Sequence, residues 1–370
     1  MFDLCGSPRR IDQVGGSAMN CLRTIKIFPA GLPGIVIAIL LVSQASGQPS
    51  QCDPSKVNTA ETCAKCHSNE VQTWKQTPHF QTFEQLSRSP EAKQICSNLG
   101  LRSVKRSEVC INCHFTTQEI DGRVKAIAGV SCESCHGASV DWLSVHNDYG
   151  GPLATKEDET SEHRAERLDE CTSLGMRNTQ DLYLIASSCY QCHTVPDERL
   201  VNVGGHNTGS EDFELVRWSQ GMVRHNFLRT DGEYNAVSDS GRLRVMYVVG
   251  LIADLEFSTR ATAKATEKTT YGLKVANRAA RAAVKLFEVQ QAIDNAFVQS
   301  ALEAFAGAEL RVNNEASLLA IADQIQIAGR QFARSSDGTD LAAIDEMLPD
   351  PSTYKSVSYT HLTLPTIYSV

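Results

Sequence analysis

The sequence predicts a mainly α fold in two parts: a loop-rich segment with short helical patches, then an antiparallel helical bundle. Three observations carry that expectation. From Cys52 to about Arg229 the chain is rich in Cys, His and Gly, and one five-residue motif occurs four times. Aromatic residues make up only 6% of the 370 residues, few for a chain that must fill a large core. From about Ser240 apolar residues recur at helical spacing through an Ala- and Lys-rich run.

Taken from the start, Arg23 and Lys26 precede an apolar run, GIVIAILLV, from Gly34 to Val42. Small residues at Ala45, Ser46 and Gly47 place an export cleavage after Gly47. The run is too short to span a bilayer. The first eighteen residues fit such a signal poorly, which makes Met19 an alternative start. Residues 1–47 therefore read as an N-terminal extension with a Sec signal peptide, and the mature chain is expected in the periplasm or outside the cell. Cys52 follows closely, but PSQ before it is a poor lipoprotein signature.

The repeated motif is CAKCH at Cys63–His67, CINCH at Cys110–His114, CESCH at Cys132–His136 and CYQCH at Cys189–His193. Two sulfurs one helical turn apart suit two thioether bonds to a porphyrin, and the adjacent His reaches the iron. Cys63, Cys66, Cys110, Cys113, Cys132, Cys135, Cys189 and Cys192 are thus the candidates for holding four covalent haem c groups. His67, His114, His136 and His193 are the proximal iron ligands. Structural zinc would pair C-x-x-C units and have no use for His after all four. Residues 48–235 form the expected tetrahaem domain, in which the rings supply the apolar core that the side chains lack.

The opposite face of each iron decides between carrier and enzyme. Two axial imidazoles close the iron for electron transfer, whereas an open face admits small molecules. The histidines left for that role are His79, His146, His163, His206, His225 and His361.

CAKCHSNEVQTWKQTPH followed by GVSCESCHGASVDWLSVH resembles the tetrahaem cytochrome c-554 type family of electron carriers. The shared features are Trp74 with a His five residues on, the GVxCESCHG motif, and a His ten residues past it. The resemblance runs from about Cys63 to His225 and implies closely packed haem pairs with distal ligands donated across pairs. It implies that His146 serves the first haem, opposite His67, and that His79 serves the third, opposite His136. It also places the ligand of the fourth haem about thirty residues past His193, where His225 lies thirty-two on. In that family the second haem, here on His114, has an open face. This chain departs through His206 in VNVGGHNTG, where two glycines let the backbone approach a flat ring. His206 either closes the second haem, or takes the fourth in place of His225, or is a loop histidine. His163, amid SEHRAE, reads as a solvated surface helix.

Trp74 and Trp142 are expected on haem edges. Cys96 and Cys171 could form a disulfide in an oxidising compartment, leaving Cys52 unpaired. The acidic run Lys156–Glu162 reads as a solvated loop.

Residues 236–345 read as a haem-free helical domain, since no Cys or His occurs in its helical part, 241–334. LRVMYVVGLIADLEF is apolar nearly all round but carries Asp254, which suits a buried helix. Leu273, Ala276, Ala280, Val284 and Phe287 then form an apolar stripe. Gln290 and Gln291 interrupt it before Ile293 and Phe297. Leu318, Ile321, Ile325 and Ala328 continue the pattern, with a turn at Asn313-Asn314 between. Three or four helices are expected from Gly241 to Arg334. Residues 346–370 are a linker and a tail, SVSYTHLTLPTIYSV, that resembles a translated sequencing adapter; on that reading His361 is no ligand.

A net charge of −8 argues against nucleic acid. The expected function is single-electron transfer between periplasmic redox proteins, with any membrane association loose and made through partners. Two other classes stay open: an enzyme acting on nitric oxide or hydroxylamine at an open second haem, and a filament-forming conduit joined through the helical half.

Overall fold

The computed structural model describes residues 52–355. The expected export signal over 1–47 and the tail from Ser356, with His361, lie outside them. The chain is mainly helical. Its first part strings together α1 (Ala60–Cys63), α2 (Ser68–Trp74), α3 (Pro78–Gln85), α4 (Pro90–Leu99) and α5 (Glu108–His114). Thr77 and Ser89 cap α3 and α4 with their hydroxyls, each followed by Pro in the first turn, where a missing N–H costs nothing.

A two-stranded antiparallel ribbon follows, β1 (Thr116–Ile120) paired with β2 (Arg123–Ala128). The sequence reading placed no strand here. Asp121 and Gly122 both take positive φ, 54° and 67°, as a tight two-residue hairpin demands. Next come α6 (Cys132–His136), α7 (Ser161–Ser173), α8 (Leu182–His193), α9 (Glu198–Asn202) and α10 (Leu215–Ser219).

Four further helices follow: α11 (Ser240–Ala263), α12 (Thr270–Ile293), α13 (Ala296–Ala306) and α14 (Glu315–Ser335). Asn313, with φ 56°, makes the turn before α14. Among the described residues no helix is long and apolar enough to cross a membrane. α11 lies at the centre, buried almost continuously from Val245 to Ala263. Its acidic residues are internally satisfied. Asp254 meets Arg278 Nε at 2.6 Å, and Glu256 accepts from Tyr183 Oη at 2.7 Å, Arg260 Nε at 2.7 Å and Gln326 Nε2 at 3.0 Å. Buried charges persist only with such partners.

The compositional break near residue 236 is not a break in packing. Leu182, Tyr183 and Tyr190 of α8, together with Phe213 and Leu215, share one apolar cluster with Val248 and Leu255 of α11 and Phe332 of α14. Gly329 sits where a Cβ would collide with the Tyr183 ring, so α14 can press directly onto α8.

Two sequence expectations are corrected by the packing. The stripe Leu273–Phe287 does not face the core of the bundle. α12 buries Val275, Ala279, Ala282, Leu286 and Val289, and turns Leu273, Val284 and Phe287 outward. Alanines satisfy the close approach to α11, so the smaller residues mark the inner face. Cys96 and Cys171 are buried free thiols and form no disulfide. Cys96 packs on α4 against Val104, Cys110 and Phe115, while Cys171 lies on α7 beside Arg167.

Candidate haem centres

Three of the four attachment motifs lie wholly within a helix. CINCH occupies α5, CESCH forms α6, and CYQCH closes α8, each ending on its histidine. Cysteines three apart therefore share one face, with the histidine at the helix end beside them. In CAKCH the helix ends at Cys63, and His67 is the residue before α2.

The histidines meet in four pairs. Ring centroids are 6.4 Å apart for His67 and His146, 6.2 Å for His114 and His206, 6.1 Å for His136 and His225, and 6.3 Å for His79 and His193. Two metal–nitrogen bonds of about 2 Å plus the two half-rings span about 6 Å, so each gap suits one metal between two imidazoles. Each pair joins one motif histidine to one distant histidine. His67 lies opposite His146, the pairing the resemblance implies, and His206 lies opposite His114, one of the three alternatives open to it. The other two assignments are exchanged: His79 faces His193 rather than His136, and His225 faces His136 rather than His193. The reason is a contact between segments far apart in the chain. Val130 N–H donates to His79 O at 3.1 Å, and a Cβ on Gly129 would collide with that carbonyl. α3 is thereby held against the strand that leads into CESCH, and its His79 ring lies toward the end of α8.

Orientation is fixed from the outer nitrogen. Nδ1 of His206 donates to Asn207 O at 2.7 Å and Nδ1 of His225 to Val223 O at 2.6 Å. Nδ1 of His146 donates to Leu143 O, and that of His136 lies 3.4 Å from Arg177 O. His193 differs, with Nδ1 3.0 Å from the Ser210 hydroxyl. A carbonyl on Nδ1 keeps the proton there and leaves Nε2 free as the donor to iron. Burial also favours the neutral form, the one a metal binds, at three of the motif histidines. It pushes His114 and His136 down to about 4, helped by His206 and His225 respectively, and His193 to about 3, helped by His79.

Other polar groups fit a bound haem. Trp142 is 6% exposed and stands edge-on to the His146 ring, with a buried indole N–H that lacks a protein partner. Trp218 lies 5.2 Å from the His193 ring, and its N–H is likewise unpartnered. Each indole N–H would be available to donate to a polar group of a bound haem. Trp74 instead donates to Val130 O at 2.8 Å and stands edge-on to Phe80. Phe213 stacks on the His193 ring at 4.3 Å. Among the described residues no three His, Cys, Asp or Glu side chains gather as a structural zinc site requires.

Sequence reasoning missed three supports. Glu133, 2% exposed, accepts from Asn58 N–H at 2.9 Å, Ser139 N–H at 2.8 Å and Ser139 Oγ at 2.6 Å, so the acid inside CESCH ties α6 to the chain before CAKCH. Cys52 Sγ adds a bond to Glu133 O at 2.7 Å. Arg278 of α12 donates to His193 O at 2.8 Å, which braces the fourth motif from the haem-free segment. The acidic run over 156–162 is not wholly solvated either. Glu159 is half-buried with its side chain only 2% exposed, accepts from Arg167 Nε and Nη2 at 2.6 Å each, and lies 2.9 Å from His163 Nδ1. Arg167 also donates to His146 O, so this network backs a distal histidine. His163 itself faces no motif histidine. Only Asp-Gly in the hairpin and the acid in CESCH left a sequence signal.

No solved structure matches the chain. Cytochrome c-554 of Nitrosomonas europaea is 28% identical over 123 residues, 31% of this chain and 52% of that protein, so the chain spans about half the length of the curated relative it matches. Residues 62–137 match the family described as cytochrome c554 and c-prime. That segment contains the first three attachment motifs, and its match supports a c-type cytochrome with covalently bound haem c, working in electron transfer.

Proposed function

We propose that the chain is an exported tetrahaem c-type cytochrome that passes single electrons between periplasmic redox partners. The observation that supports this reading most is the set of four histidine pairs. Bound haem would supply the one-electron couple, and the protein's own groups position and tune it. Paired imidazoles leave each iron closed, so little rearranges when an electron arrives or leaves.

Neighbouring motifs support a relay. Cys63 lies beside Cys132, and Cys113 beside Cys192, close enough for their thiols to influence one another. Cys135 lies within electrostatic range of Cys189. The order of contact is therefore first, third, fourth, second. An enzyme acting at an open second haem is the weaker reading, because His206 stands opposite His114.

The test is spectroscopic. The reduced pyridine spectrum of the purified protein should give four haem c per chain, and electron paramagnetic resonance of the oxidised form should show low-spin ferric signals only. Fewer haems, or a stoichiometric high-spin signal in the unmodified protein, would sink the proposal.

A further inference from the structure

The outward side of α12 is apolar where a solvated helix is normally polar. Leu273, Val284 and Phe287 are 47%, 50% and 44% exposed, with Ala276 and Ala280 between them. At 3.6 residues per turn the five fall in one stripe about 80° wide. The inner side of the same helix is already spent on the bundle, so this second stripe has no internal use.

The stripe is symmetric about Ala280. Leu273 and Phe287 lie seven residues to either side of it, and Ala276 and Val284 four to either side. If α12 is laid antiparallel on a second copy of itself, with Ala280 at the crossing, Leu273 meets Phe287 of the second copy and Ala276 meets Val284. Each large residue then faces an apolar partner, and the alanines allow the axes to approach within about 8–10 Å. Charge follows the same symmetry. Lys274 and Glu288 lie on one flank of the stripe, seven residues either side of Arg281. A two-fold axis keeps that flank on one side, so Lys274 of each copy comes beside Glu288 of the other. Lys274 reaches Glu211 at 2.7 Å on the surface and has the length to turn between the two. Arg281 lies on the same flank between those two, exposed to solvent that screens it from its own copy, and Lys285 points further round the helix.

We propose that α12 is a homodimer interface, two copies packing this stripe across a two-fold axis at Ala280. An isologous contact requires a patch complementary to itself, and the pairing above supplies one in both shape and charge.

The haem-loaded full chain tests it by light scattering after size exclusion. The unmodified protein should run at twice the chain mass. Ala280→Glu should run as a monomer, with its dissociation constant raised about 100-fold or more by two unpaired carboxylates at the axis. Its haem spectrum and helical circular dichroism should be unchanged, which separates lost assembly from lost folding. Register is tested by oxidative cross-linking: Ala280→Cys should link to its own copy, whereas Leu273→Cys should do so only when Phe287→Cys is also present. A monomeric unmodified protein overturns the proposal, including one whose stripe is covered by chain outside 52–355 or by another protein. So does a dimer indifferent to Ala280→Glu, or self-linking by Leu273→Cys alone.

Discussion

His79 and His193 face one another with ring centroids 6.3 Å apart, although two other attachment motifs lie between them in the chain. The first motif and the fourth are thereby joined, while His146, just past the third motif, returns to His67. His225 closes the third motif from the far side of the fourth. The four histidine pairs thus link distant segments, and no motif histidine is paired from within its own local segment.

This pairing predicts a displaced lesion. His79→Ala should convert one haem in four to high spin, and the affected haem should be the one on Cys189 and Cys192. Removing that haem with Cys189→Ala and Cys192→Ala in the same chain should abolish the high-spin signal. If the signal survives, His79 serves another centre.

At the second centre, His206 decides between carrier and ligand-binding protein. The reduced unmodified protein should take up no carbon monoxide. His206→Ala should bind one per chain at the haem on Cys110 and Cys113, read from the shift of its Soret band. Uptake by the unmodified protein would show that His206 does not hold the iron.

The four C-x-x-C-H motifs stand out in the sequence because covalent haem needs a fixed local spacing, and local spacing survives in sequence. Pairing of the distal histidines was legible only in part: His146 with His67 was expected, whereas the partners of His136 and His193 were not. It depends on how α3 lies against Gly129 and Val130, a long-range contact with no spacing rule. The spacing implied by the resemblance pointed from His193 to His225, yet chain length only bounds reach, and the His225 ring lies 6.1 Å from that of His136. The bundle was readable from its 3.6 period, but α12 has two apolar faces. Periodicity alone favoured the larger residues, whereas the packed face is the alanine-rich one that lets α11 come close.

Arg278 links that bundle to the fourth centre. Its Nε pairs with Asp254 at 2.6 Å, and its Nη1 donates to His193 O at 2.8 Å and Ser210 O at 3.2 Å. Arg278→Leu leaves Asp254 nearly buried without its cation, and should cost about 3 kcal/mol of stability in chemical denaturation. Changing Asp254 to Leu as well should recover most of the loss, since the stranded charge is then gone. The reduction potential of the fourth haem should move in both variants, because the bond to the His193 carbonyl is missing in each. An additive double variant would place the effect elsewhere.

Glu159 gives the first centre a dependence on acid. Its bonds from Arg167, aided by His163, hold its carboxyl down at about 2 against an ordinary value of 4.5. The unfolded chain therefore takes up this proton first as pH falls, so the stabilisation is complete above about pH 4.5 and fades toward pH 2. Arg167 also donates to His146 O, so loosening this network should release the distal ligand of the first haem. Glu159→Gln should lower the unfolding midpoint by a constant amount from pH 5 to 7, and the gap to the unmodified protein should close as pH approaches 2. High-spin signal at the first haem should rise over the same interval in the unmodified protein. A gap that is the same at every pH would mean that Glu159 acts through packing and not through its charge.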